Sequence, residues 1–234
     1  MTNDLSNFKG PHQGQPLLTY GARPEEAQAA MVLVHGRGAT AESILTLAGE
    51  FDQPGFHYLA PQAARGSWYP NSFLAPMESN EPGLSSGLQA IGDALARLKN
   101  EGVPAERTML LGFSQGACLA LEYAFRYPRR YGGVVALSGA LITPPEPLMK
   151  TYASETATRQ MVDGAFAETP MFLGCSDRDA HIPLERLTPS AELLRKLGGN
   201  VALKIYPNMP HTVIPDEIEI VREMMNALLA EKHR

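Results

Sequence analysis

Ser114 stands at the centre of Gly112-Phe113-Ser114-Gln115-Gly116. A serine hydroxyl is a poor nucleophile until it is held against a base and presented where a carbonyl can reach it. The apolar run Thr108-Met109-Leu110-Leu111 leads straight into the pentapeptide, and a stretch of helical periodicity starts directly behind it. The predicted context is strand, tight turn, helix, in which G-x-S-x-G lifts its serine to the edge of a sheet above a helix N-terminus. Gly112 and Gly116 permit the turn and the close approach of helix to strand. The chemistry this pattern offers is attack on an acyl carbonyl, with a covalent acyl-serine between two half-reactions.

Such a serine needs a base and an acid, in the chain order Ser, Asp or Glu, His. Of six histidines only His181, His211 and His233 follow Ser114. His233 lies in the terminal tail and His181 precedes a strand and a helix still to come, so His211, just past the last predicted strand, is the candidate base. The acid is expected after the run Met171-Phe172-Leu173-Gly174-Cys175, where Asp177 and Asp179 compete. Asp177 is three residues after Gly174 and Asp179 four before Pro183; Asp179 is favoured, with Asp177 then supporting the loop. His181 is expected as a pocket wall. A developing oxyanion needs two backbone donors, assigned to the N–H groups of Gln115 and of Arg37 in His35-Gly36-Arg37-Gly38-Ala39-Thr40. That loop lacks the full dinucleotide fingerprint and the Lys-Ser/Thr of a nucleotide loop. The Arg37 side chain is expected to point to solvent, the alternative being to bind a substrate carboxylate.

The elements that must hold these residues can be read from periodicity. Apolar runs at 17–20, 30–35, 57–60, 108–113, 133–138, 170–174 and 201–206 read as strands, several without alternation, as strands buried on both faces do. Helical periodicity occupies 41–50, 84–100, 115–126, 184–197 and 215–232. Leu84, Leu88, Ile91, Leu95 and Leu98 share one helix face. Alternating strand and helix predict a mainly parallel α/β sheet of about seven strands, with ligands beyond the strands' carboxyl ends. Two long segments interrupt this rhythm and are expected to wall a pocket. They are 62–83, with Trp68 and Tyr69, and 141–169, which opens with Pro144, Pro145 and Pro147 and is expected to hold a short helix around 148–161. Met77, Met149, Met161 and Met209 are candidates for an adaptable lining or for core filler.

Length and composition set the limits. A chain of 234 residues with 44% hydrophobic residues suits one domain over 1–234, with 1–15 as a loose N-terminal segment. A formal net charge of -5 and no Lys/Arg block argue against nucleic acid. Two cysteines, Cys118 and Cys175, form no disulfide framework or zinc spacing, and Cys118, one turn past Ser114, reads as a core thiol. The N-terminus lacks a basic start and apolar core, and no apolar run reaches the length of a membrane span, so the cytoplasm is the expected compartment.

His35-Gly36-x-Gly38, the serine pentapeptide, Asp179-x-x-Ile182-Pro183 and Tyr206-x-x-Met209-x-His211 together resemble the phospholipase/carboxylesterase family, which includes the acyl-protein thioesterases. The resemblance runs over about 30–230 and implies an α/β-hydrolase fold with little cap, cleaving carboxylic esters or thioesters without cofactor or metal. It matches Ser114, Asp179 and His211 to the triad and Arg37 and Gln115 to the oxyanion hole. The thioesterases usually carry an apolar residue and then Gly-Asp-Thr where this chain has Arg37-Gly38-Ala39-Thr40. The stretch 68–76 looks more like the bacterial esterase branch, with Trp68 as either pocket wall or packing anchor and Tyr69 as pocket wall. The expectation is a carboxylesterase acting on a small-molecule ester. The alternatives are an acyl or acyl-protein thioesterase, a lysophospholipase-type enzyme, a perhydrolase, or a non-catalytic hydrolase-fold binding protein; a homodimer is compatible with the family.

Overall fold

In the computed structural model, which describes residues 9–143 and 164–231, the predicted runs become seven strands of one sheet. These are β1 (Leu17–Gly21), β2 (Ala29–Val34), β3 (Phe56–Pro61), β4 (Thr108–Phe113), β5 (Gly133–Leu137), β6 (Pro170–Ser176) and β7 (Asn200–Tyr206). Among the described residues the α-helices are α1 (Ala41–Phe51), α2 (Gly83–Asn100), α3 (Gln115–Arg126), α4 (Leu184–Lys196) and α5 (Pro215–Ala230). The strand order is β1-β3-β2-β4-β5-β6-β7. Every pair is parallel except β1 with β3.

Pleating explains why the central strands read as unbroken apolar runs. Successive side chains point to opposite faces, and both faces are covered by helices. Val32, Val34 and Leu110 pack with α2, α3 and α4, whereas Met31, Leu33, Met109 and Leu111 pack with α1 and α5. From β2 the chain turns to β3 on one side and later returns as β4 on the other, so strand order reverses between β2 and β4. Loops leaving the carboxyl ends of these two neighbours diverge to opposite faces, which opens a crevice where α/β sheets bind ligands. A capping box, with Thr40 and Ser43 exchanging side-chain-to-backbone hydrogen bonds of 3.2 and 3.1 Å, fixes where the loop after β2 ends and α1 begins.

The described part of the N-terminal segment, residues 9–15, is anchored to the domain at His12. Among its described residues, His12 is buried: its backbone N–H donates to Ser86 Oγ (2.8 Å), its Nε2 bonds Trp68 O (2.8 Å) and its Nδ1 accepts from Ala64 N–H (3.0 Å). A polar segment can dock when long-range hydrogen bonds hold it, a signal that hydropathy does not carry. The helix expected around 148–161, with Met149 and Met161, lies outside the described residues, as does His233. No helix among the described residues is long and apolar enough to cross a membrane.

Candidate active site

Ser114 occupies the turn between β4 and α3 with φ 54° and ψ -120°, a left-handed conformation that a non-glycine residue rarely adopts. Such strain, of order 1–3 kcal/mol, persists only where the surroundings impose it. Here Ser114 N–H donates to Leu137 O on β5 (2.9 Å), and Cys118 N–H donates to Ser114 O (3.1 Å). The flanking glycines are required by space: a Cβ on Gly112 would strike the backbone of Gly116, and one on Gly116 would strike the carbonyls of Val34 and His35. α3 can therefore start almost against β2.

Above this elbow three side chains form a chain of hydrogen bonds. Ser114 Oγ lies 2.9 Å from His211 Nε2, and His211 Nδ1 lies 2.7 Å from Asp179 Oδ2. The carboxylate can only accept, so Nδ1 carries the proton and Nε2 is left to accept from the serine. Burial opposes ionisation of Asp179, but the bond from His211 and the N–H groups of His181 (2.8 Å) and Ile182 (3.0 Å) outweigh it and hold the carboxyl below its ordinary value. Cys175 Sγ, 3.7 Å away, adds a weak donor to Oδ2. Asp177 faces elsewhere: its Oδ1 accepts from Asn208 N–H (2.8 Å) and its own N–H donates to Tyr206 O (3.1 Å), tying the loop after β6 to the end of β7. The His211 ring is flanked by Phe113 and His181, at centroid distances of 5.1 and 4.8 Å.

The loop after β2 brings Arg37 beside this group, and Gly36 sits close enough that a Cβ there would touch Phe113 O and Ser114 Cβ, at 3.3 and 3.4 Å. His35 is fully buried and neutral by its bonding: Nε2 accepts from Ala63 N–H (3.1 Å) and Nδ1 donates to Gly36 O (2.8 Å). Burial lowers its pKa, as it does that of His12. The Arg37 side chain is exposed, as expected, and borders the cavity over Ser114, but it is also tied to the neighbouring loop. Its Nη1 donates to Ser67 Oγ and Pro70 O and its Nη2 to Asn71 O, while the guanidinium lies 5.9 Å from the Tyr69 ring centroid.

A cavity of about 480 Å³ opens over Ser114, walled by residues that include Tyr69, Phe73, Phe113, Cys118, His181 and Ile182. Of the three residues weighed as pocket walls, Tyr69 and His181 line this cavity, whereas Trp68 takes its other reading, that of a packing anchor. Trp68 is fully buried, donates from Nε1 to His35 O (2.8 Å) and packs between the rings of His12 and His35. An indole must satisfy its N–H when buried, and this one does so beneath the loop rather than in the pocket. Met77 and Met209 are also absent from the lining; Met77 Sδ accepts from Arg126 Nη2 (3.1 Å). Burial pushes the Cys118 thiol up to about 12, so it stands in the cavity wall as an unreactive thiol. Phe73, Phe113 and Ile182 were not expected from sequence as lining residues, although Phe113, as the residue before the serine, has to sit at the strand's carboxyl edge. No group of three or more His, Cys, Asp or Glu among the described residues could hold a metal ion.

The family model for phospholipase/carboxylesterase matches residues 21–229. The acyl-protein thioesterase 1 of Saccharomyces cerevisiae is 26% identical over 223 residues, covering 86% of this chain and 93% of that protein. The Gibberella zeae acyl-protein thioesterase 1 is 34% identical over 134 residues, a match that spans 57% of this chain and only 53% of that protein. Among solved structures, the phospholipase/carboxylesterase of Dyadobacter fermentans is 37% identical with a TM-score of 0.80, covering 92% of this chain and 96% of that one.

Proposed function

Because the chain belongs to the phospholipase/carboxylesterase family of α/β-hydrolases, we propose that it is a serine hydrolase that cleaves carboxylic esters through an acyl-Ser114 intermediate. The observation that carries this reading is the Asp179–His211–Ser114 hydrogen-bond chain set over a strained elbow at the mouth of a cavity. His211 Nε2 takes the Ser114 proton as Oγ attacks the ester carbonyl, and Asp179 holds the imidazole in the required tautomer and stabilises the imidazolium. The negative charge on the tetrahedral oxygen is met by the N–H groups of Arg37 and Gln115. No protein acceptor among the described residues takes either N–H, and Gln115 is the first residue of α3, where the helix dipole also favours negative charge. Collapse expels the alcohol with the proton from His211. Water, deprotonated by the same His211, then releases the acid.

The same constellation serves a thioester, and the acyl-protein thioesterase relatives favour this second reading. Matched oxygen and sulfur esters of acetyl, butyryl and octanoyl groups separate the two. The ester reading predicts kcat/KM at least about tenfold higher for the oxygen ester after correction for leaving-group reactivity. A reversed ratio assigns the chain to thioester hydrolysis, and hydrolysis of neither series overturns the catalytic reading.

A further inference from the structure

The two residues proposed as oxyanion donors come from separate elements. Arg37 follows β2 and Gln115 opens α3 after β4, and the helices that follow these strands lie on opposite faces of the sheet. Nothing local in the sequence fixes the distance between their N–H groups.

Their side chains turn to the same short stretch of the loop before α2. Three successive carbonyls of that stretch are taken: Tyr69 O by Gln115 Nε2 (2.8 Å), Pro70 O by Arg37 Nη1 (2.9 Å) and Asn71 O by Arg37 Nη2 (2.6 Å). Gln115 Oε1 accepts in return from Trp68 N–H (2.9 Å). Ser67 Oγ lies between the two, accepting from Arg37 Nη1 (3.1 Å) and standing 3.4 Å from the Gln115 amide. On the far side, Trp68 Nε1–H donates to His35 O (2.8 Å) and Gly38 N–H donates to Gly66 O (2.7 Å). The stretch is thus tied to both loops that carry the donors. The planar guanidinium fork satisfies three oxygens at fixed angles, which an ammonium or an apolar side chain cannot do.

We infer that residues 67–71 form a brace that sets the separation of the two oxyanion donors, with the Arg37 guanidinium and the Gln115 carboxamide acting through it as positioning groups. This rests on the acyl-Ser114 reading. It accounts for an arginine beside the nucleophile without giving it a substrate: the fork is occupied by two main-chain oxygens and Ser67 Oγ. It also couples pocket to hole, because Tyr69, whose carbonyl is part of the brace, supplies a wall of the cavity. Oxyanion donors act on the charge that develops in the transition state, so loosening the brace lowers kcat and leaves KM nearly unchanged.

Arg37→Met keeps the aliphatic stem and removes the fork. With a p-nitrophenyl ester it is expected to lose about 10–100-fold in kcat, with KM within about threefold of the wild type. Affinity for a trifluoromethyl ketone, which forms the tetrahedral adduct, should fall in proportion to kcat/KM. In Arg37→Ala, added methylguanidinium should restore part of the lost kcat, a rescue that a merely destabilised fold would not give. Should Arg37→Met fail to fold, Arg37→Lys is compared in the same way, since its ammonium cannot span the three oxygens. An unchanged kcat, or a rise in KM alone, overturns the brace. A wild type that hydrolyses no ester and takes no phosphonate overturns the underlying function instead, so the two failures are distinguishable.

Discussion

At the scale of single residues, the two aspartates after β6 differ by what faces them, not by their type. Asp179 receives His211 Nδ1–H and two backbone N–H groups, whereas Asp177 ties its loop to Asn208. An amide in place of Asp179 offers His211 the wrong tautomer, and Asp179→Asn is expected to lower kcat by about 10³–10⁴-fold. Asp177→Asn keeps the oxygen that accepts from Asn208 N–H and should stay within about threefold of the wild type at equal stability, as steady-state kinetics on one ester would show. Comparable losses in the two variants would contradict the acid assignment. Sequence spacing favours Asp179 without excluding Asp177, because both counts are possible in an extended loop; the direction of the side chains separates them. Arg37 and Trp68 were harder still, since the bonds that fix them run to partners 30 or more residues away.

At the scale of elements, the elbow depends on the absence of side chains at particular points. Gly116→Ala would drive a Cβ into the carbonyls of Val34 and His35, and the packed backbone of β2 has nowhere to yield. A loss of more than about 3 kcal/mol is expected, read as a lower urea midpoint at constant slope. Gly49→Ala is the contrast: on the exposed side of α1, with nothing within 4 Å of the added carbon, it should gain about 0.5–1 kcal/mol. The strands were legible because burial on both faces leaves uninterrupted apolar runs; β4 is found at the predicted residues 108–113, and the amphipathic α2 within one residue of its predicted start. The connections were less so. The 62–83 segment is held by backbone-directed bonds from Arg37, Gln115 and Asn80, and hydrophobic periodicity is blind to such bonds.

At the scale of the whole molecule, stability should vary with pH through groups outside the proposed chemistry. Glu217, at the start of α5, is fully buried against Gly174; its Oε2 accepts from Ile214 N–H (3.2 Å), while Oε1 has no hydrogen-bond partner among the described residues. Burial raises its pKa to about 7. Its contribution is therefore present in full below the unfolded value near 4.5 and is lost as pH rises through 7. His12 and His35, whose pKa values are lowered by burial, act in the opposite sense, their contribution being lost as pH falls below about 6.5. The difference between wild type and Glu217→Gln isolates the carboxyl: urea unfolding should show the variant gaining up to about 3 kcal/mol relative to wild type between pH 5 and pH 8. A pH-independent difference would contradict this role. For the molecule's central activity, the most direct measurement is intact-mass and peptide mapping after exposure to a fluorophosphonate. The wild type should gain one phosphonyl group, on Ser114, and Ser114→Ala none; equal labelling of the two proteins, or an adduct mapped to another residue, would contradict the nucleophile on which the proposed function rests.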